Sequence, residues 1–341
     1  LSRHRVMLAI TALTVFVSAS LLFVVQPMVG KMILPHLGGS SSVWTTCMLF
    51  FQTVLLLGYI YAHGVAQSMR LERQVVVHLG IMLVAAVASL PLAVPEAWLQ
   101  VEGSPAGWLL VALTLGIGLP LFVVSSSAPL FQHWFSKTDH PDADDPYHLY
   151  AASNVGSMLA LFGYPLFVER FFTVDGQTEL WAWGFGGLAS LTAVCGLALF
   201  FRADDEETAA PPDRDVEPLT WKRRGWWLLI TFIPSSLMLG VTRYLTTDLA
   251  SVPLLWVLPL GFYLLSFIIV FSRMRLYLWF YRAAIPVVTL GVLAATFSNI
   301  FTMAFLVVAH LWIFFMFAVY FHGELAKDRP VTAHLTEFYI W

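Results

Sequence analysis

Apolar stretches of about twenty residues, separated by short polar connections, decide what this chain can become, because a helix needs about 20 such residues to cross a bilayer. They fall at 6–28, 43–62, 75–93, 107–124, 150–167 and 180–201, and again at 226–245, 254–271, 283–300 and 303–321. Residues 336–341 read as the opening of an eleventh, cut short. Of 341 residues, 59% are hydrophobic and 11% charged, where soluble domains carry roughly 25% charged residues. A water-soluble globule of this length cannot hide so much apolar surface. The expected fold class is therefore all-α: a polytopic membrane helix bundle of about ten complete spans, with the lipid bilayer as its first partner. A net charge of -3 leaves nothing to attract nucleic acid.

The chain opens on Leu1 rather than Met, so residues are expected to precede it. Arg3 and Arg5 before an apolar run have the look of a secretion signal, but the run continues into Gln26-Pro27 without a cleavage site and reads as an uncleaved span. Cys47 and Cys195 sit inside apolar runs, with neither metal-ligand spacing nor a disulfide framework.

Charge distribution tests the span count independently. With the N-terminus placed in the cytoplasm, 15 of the 18 lysines and arginines fall on the cytoplasmic side, and only Lys31, Arg170 and Arg243 fall opposite. Such a bias is the ordinary orientation signal of inner-membrane proteins, and a missed span would scramble it. The expected location is a bacterial inner (cytoplasmic) membrane.

Between the sixth and seventh runs lies a polar segment, 202–225, containing Asp204-Asp205-Glu206-Glu207, Pro211-Pro212 and Lys222-Arg223-Arg224. It reads as a solvated cytoplasmic linker. It divides the chain into a six-helix half, 1–201, and a second half, 226–341, of four helices and the start of a fifth. Six helices, a linker and a second set form the layout of the major facilitator fold, whose halves are repeats. Ser18-Ala19-Ser20-Leu21-Leu22 has a counterpart in Pro234-Ser235-Ser236-Leu237-Met238, and the stretch ending His148-Leu149-Tyr150 has one ending Tyr339-Ile340-Trp341. The loop after the second span, His63 to Arg73, carries basic residues but lacks the aspartate usual in major facilitators.

Several segments carry a more specific likeness. They include Gln26-Pro27-Met28-Val29-Gly30-Lys31, Leu34-Pro35-His36-Leu37-Gly38-Gly39-Ser40, Val43-Trp44-Thr45-Thr46-Cys47 and Asp145-Pro146-Tyr147-His148-Leu149-Tyr150. Tyr244-Leu245-Thr246-Thr247-Asp248, Val252-Pro253-Leu254-Leu255-Trp256 and His322-Gly323-Glu324-Leu325-Ala326 continue it. These blocks resemble the membrane region of bacterial fused major-facilitator/spermidine-synthase-like proteins. The resemblance implies a membrane module, a partner domain similar to aminopropyltransferases that these 341 residues do not contain, and polyamine-related solutes.

No catalytic constellation is legible. Gly116-Ile117-Gly118 lies within an apolar run, where small residues serve close helix packing rather than nucleotide binding. His63, His78 and His322 fall at predicted cytoplasmic ends, as ordinary interfacial residues, while His310 lies deeper. Bis-histidine haem needs ligands facing each other at matched depth, which this spacing does not supply, so no cofactor and no metal are expected. The chain alone does not read as an enzyme.

Ionisable residues at the edge of hydrocarbon are costly and mark pairs or pathways. Lys31, Glu169, Arg243 and Asp248 all come out near the predicted outer ends of helices, and Gln26, Gln52 and Asn154 interrupt apolar spans. These seven are the candidate binding residues. Two roles fit them: a transporter-like module that binds or moves a small polar or ionic solute, or a non-transporting scaffold for a synthase-like domain or a larger membrane complex. With the N-terminus in the cytoplasm, single cysteines placed in 202–224 should resist an impermeant thiol reagent in intact cells, and cysteines in 95–105 should react. Labelling in the reverse pattern would overturn the orientation.

Overall fold

The computed structural model describes residues 3–37, 41–94, 105–203, 218–249, 257–272, 276–298 and 300–341. Among them there is no strand. The helices are α1 (Arg3–Leu37), α2 (Ser41–Ser68), α3 (Leu71–Ser89), α4 (Pro105–Leu113), α5 (Leu119–Ser136), α6 (His148–Gly163), α7 (Glu169–Phe171) and α8 (Val174–Ala203). They continue with α9 (Trp221–Arg243), α10 (Val257–Phe271), α11 (Leu278–Phe297), α12 (Met303–Lys327) and α13 (Leu335–Ile340). Three π-helical segments interrupt this series: Thr114–Gly118 joins α4 to α5, Tyr164–Val168 joins α6 to α7, and Tyr244–Leu249 extends α9.

Among the described residues, 9 helical stretches are long and apolar enough to cross a membrane. Helix α10 is apolar but shorter, 15 residues, or about 22 Å at the helical rise. Its predicted first residues lie outside the described set. Side chains that would be ruinous in water stand in the open: Val87 is 80% exposed, and Trp183, Phe297 and Ile300 are each 81% exposed. In a bilayer these are lipid-facing surface. The chain is a multi-pass integral membrane protein.

The helices form two units. The first holds residues 1–214 together with 331–340, so α13 packs with the first set of helices, against α2 and α5. At its centre is α1, which packs most extensively on α6 and also on α5 and α8. The second unit, 215–330 with residue 341, is centred on α12, which packs on α9, α10 and α11. Two of its helices begin on threonine caps: the Thr220 hydroxyl accepts from Arg223 N at 3.3 Å, and the Thr302 hydroxyl accepts from Phe305 N at 3.3 Å. The ends of α9 and α12 are tied by Asp328, which takes the Trp227 indole at 2.8 Å and the Arg223 guanidinium at 3.1 Å.

Helix α1 outlasts its predicted span. It runs 35 residues, through Pro27 and Pro35, about 52 Å of helix against roughly 30 Å of hydrocarbon. Its far end therefore carries Lys31 beyond the apolar run.

Lipid gives helices no hydrophobic reason to associate, so close packing must do it, and small residues permit the closest approach. Gly156 is the clearest case. A Cβ there would fall 2.4 Å from the Phe16 carbonyl oxygen of α1, and the Ser20 hydroxyl donates to the Gly156 carbonyl at 3.2 Å. At Gly58 a Cβ would fall 2.8 Å from Ser125 Cβ, fixing the α2–α5 contact. Gly116 is also a packing glycine, as its place in an apolar run predicted: its Cβ would meet the Ala93 carbonyl oxygen at 2.3 Å. Replacing Gly156 by Leu should separate α1 from α6 and lower the thermal unfolding temperature in detergent, since overpacking costs about 1–3 kcal/mol or more. The same assay should be insensitive to Gly163→Ala, where nothing lies within 4 Å.

Candidate functional site

Of the predicted ionisable residues, Lys31 and Glu169 meet: Lys31 Nζ lies 2.9 Å from Glu169 Oε1. Their side chains are 36% and 38% exposed, so the pair remains open to its surroundings. Glu169 follows directly on the π-helical segment Tyr164–Val168, which contains Pro165. Proline lacks the N–H that an α-helical ladder needs there, and π-turns are how helices absorb such a break. Beneath it the connection is locked. Buried Tyr164 donates to Gln177 Oε1 at 2.8 Å, and Gln177 Nε2 donates to the Phe172 carbonyl at 3.0 Å. These bonds hold α7 against the start of α8 and so fix where Glu169 stands.

In the second unit, Arg243 is the last residue of α9, and it is exposed. The π-helical segment Tyr244–Leu249 follows it and contains Asp248, whose side chain lies outside the described residues. The Tyr244 ring packs 4.7 Å from the ring of His310, whose Nδ1 lies 2.8 Å from the Leu306 carbonyl. Three of the predicted ionisable residues thus sit beside or within π-helical segments.

The uncharged candidates are dispersed. Gln26 is half-buried on α1 and Gln52 exposed on α2. Asn154 is 8% exposed, and its amide donates to the Tyr150 carbonyl of its own helix at 2.8 Å. Among the described residues, no hydrogen bond joins any of the three to the Lys31–Glu169 pair.

Burial of two histidines departs from the sequence expectation. His78 and His322, read as interfacial, are completely buried. His78 is walled by Tyr61, Phe131 and Trp134, with Nε2 at 3.5 Å from the Ser127 hydroxyl and Nδ1 unpartnered. Gln74, one turn earlier, accepts the Trp134 indole N–H at 3.0 Å. His322 stacks on Phe267 at 3.7 Å, with Nδ1 at 2.7 Å from the Ser266 hydroxyl and Nε2 unpartnered. Aromatic neighbours close over both rings, which turns helix ends into enclosed polar spots. The one sequence signal was the run Ser125-Ser126-Ser127, three small polar residues inside a span.

Among the described residues, no group of three or more His, Cys, Asp or Glu could hold a metal ion. The fold and these polar spots define a multi-pass all-helical membrane protein. No protein-family model and no curated protein matches the chain.

Removing Ser266 would leave both nitrogens of a completely buried histidine without a partner. Ser266→Ala should therefore destabilise the protein by about 1–3 kcal/mol. The double variant Ser266→Ala/His322→Phe should recover most of that loss, because removing both partners leaves no orphan. Graded-detergent unfolding measures both, and a double variant no better than the single one would show that the bond is not the source of the effect.

Proposed function

We propose that this chain is a transporter-like membrane module that binds or moves a small polar or ionic solute, with the Lys31–Glu169 pair of the first unit selecting it. The observation that carries the reading is the Lys31–Glu169 pair, held half-open at a π-helical break. An exposed pair of this kind adds only about 0–1 kcal/mol to stability, so its position at the edge of hydrocarbon calls for a reason other than folding. π-Helical segments cluster at functional sites, and interrupted helices are a recurrent device of transporters. The resemblance to the fused major-facilitator/spermidine-synthase-like proteins supplies the solute class, polyamines. An ammonium group of such a solute competes with Lys31 for Glu169. In this reading the location is a bacterial inner membrane, with the N-terminus in the cytoplasm.

A second reading, a scaffold for a synthase-like domain or a membrane complex, is favoured by the interior of the first unit. There the Ser18 hydroxyl donates to the Val124 carbonyl at 2.9 Å and the Trp181 indole to the Leu21 carbonyl at 3.0 Å, while Asn154 is consumed by its own helix. These are the bonds of a packed, static core.

Uptake of labelled polyamine into liposomes containing the purified protein separates the two. Glu169→Gln should reduce uptake about tenfold or more, while the unfolding temperature hardly moves. The exchange Lys31→Glu/Glu169→Lys should likewise leave the unfolding temperature unchanged and fail to restore uptake. Wild-type protein that moves no polyamine or amino-acid-like solute, yet co-purifies with a membrane complex, would decide for the scaffold.

A further inference from the structure

At the end of the first unit where α1 begins, α1, α5 and α8 enclose a pocket of about 370 Å³, within the range of roughly 300–1,000 Å³ typical of small-molecule sites. Its inner wall is aromatic, made by Phe131, Trp134 and Phe135 of α5. Polar atoms in this lining are already committed elsewhere. The Trp134 indole N–H donates to Gln74, the Thr11 hydroxyl to the Met7 carbonyl at 3.0 Å, and the Thr138 hydroxyl to the Phe135 carbonyl at 2.7 Å. What remains toward the space is hydrocarbon and a single cation, for Arg3 is the one charged residue among the described lining residues and no carboxylate joins it. Val194 of α8, 46% exposed, stands in the lining and brings it out to the lipid-facing surface.

Apolar walls with spent hydrogen-bonding groups reject a polar solute, because its desolvated groups would find no partners. They accept a hydrocarbon chain. A guanidinium beside them recognises phosphate, for which arginine is the best-matched side chain, and basic pockets between membrane helices hold phospholipid headgroups. We propose that this pocket is a phospholipid site, one acyl chain lying against Phe131, Trp134 and Phe135, and the phosphate diester meeting Arg3. This site is separate from the Lys31–Glu169 pair and does not depend on the chain being a transporter.

The test is native mass spectrometry of the full chain, delipidated in detergent and titrated with dioleoyl phosphatidylglycerol, with dioleoylglycerol, which lacks the phosphate, and with oleate. Wild-type protein should hold one phosphatidylglycerol about tenfold more tightly than either comparison lipid, the worth of one charge-assisted contact. Ala198→Trp fills the pocket and should abolish that tight binding, and Val194→Trp provides the same test should the first variant fail to fold. Arg3→Gln should reduce phosphatidylglycerol binding to the level of dioleoylglycerol. Equal binding of the phospholipid and dioleoylglycerol by wild type, preference for oleate, or full retention of the phospholipid in folded filling variants would each overturn the assignment.

Discussion

In hydrocarbon every backbone N–H and C=O must find its partner within the protein, and each one left open costs several kcal/mol. Most features of this structure are answers to that demand. Helix is the answer for the backbone. For side chains, the serines and threonines of the spans mostly turn back on their own helix: Thr14 to the Ile10 carbonyl at 2.7 Å, Ser125 to Leu121 at 2.7 Å, Thr192 to Leu188 at 2.7 Å. A hydroxyl satisfied locally makes no demand on a neighbouring helix. Hence the few bonds that do cross between helices, such as Ser18 to Val124, are specific fixtures rather than general glue, consistent with the modest strength of such bonds in membranes.

Association then has to come from contact, and the first unit makes it through its central helix. Helix α1 presents Ser18, Ala19 and Ser20, small residues in succession, and α6 answers with Gly156 placed where no Cβ would fit. The same substitution of small residues for bulk recurs at Gly58, between α2 and α5. Packing this close leaves little freedom, so whatever departs from regular helix stands out. Among the described residues such departures include the three π-helical segments. At one of them the cause is plain: Pro165 lacks the N–H that the α-helical ladder needs.

How much of the fold is legible in the sequence follows from the range of each interaction. Spans depend on composition over twenty residues, so hydropathy reaches each of the 9 long apolar stretches among the described residues, although α1 continues well past Met28, through Pro35, to Leu37. Lys31 and Glu169 are legible because a charge near hydrocarbon is rare enough to be noticed singly. Their partnership requires a fold. π-Helical segments are invisible, since a register shift changes neither hydropathy nor charge. His78 and His322 cannot be read as buried, because their enclosure is made by Tyr61, Trp134, Phe267 and other rings remote in sequence. The place of α13 is equally hidden. As a likeness to the stretch through Tyr150 it looks like the start of another span, whereas Thr336 bonds His63 at 2.9 Å and Tyr339 bonds Gln132 within the first unit.

The two units also keep polar groups in comparable frames of sequence. Phe131-Gln132 lies five residues before Lys137 near the end of α5, and Phe321-His322 lies five residues before Lys327 at the end of α12. Each unit, taken by itself, buries the second residue of the pair completely and leaves one of its polar atoms, Gln132 Oε1 or His322 Nε2, without a hydrogen-bond partner among the described residues. An orphaned buried polar atom costs about 1–3 kcal/mol, and in each place the same side chain makes another bond: Gln132 Nε2 donates to the Tyr339 hydroxyl, and His322 Nδ1 meets the Ser266 hydroxyl at 2.7 Å. Polar chemistry at both positions, through different side chains, therefore ties neighbouring helices together within each unit, α5 to α13 in the first and α12 to α10 in the second.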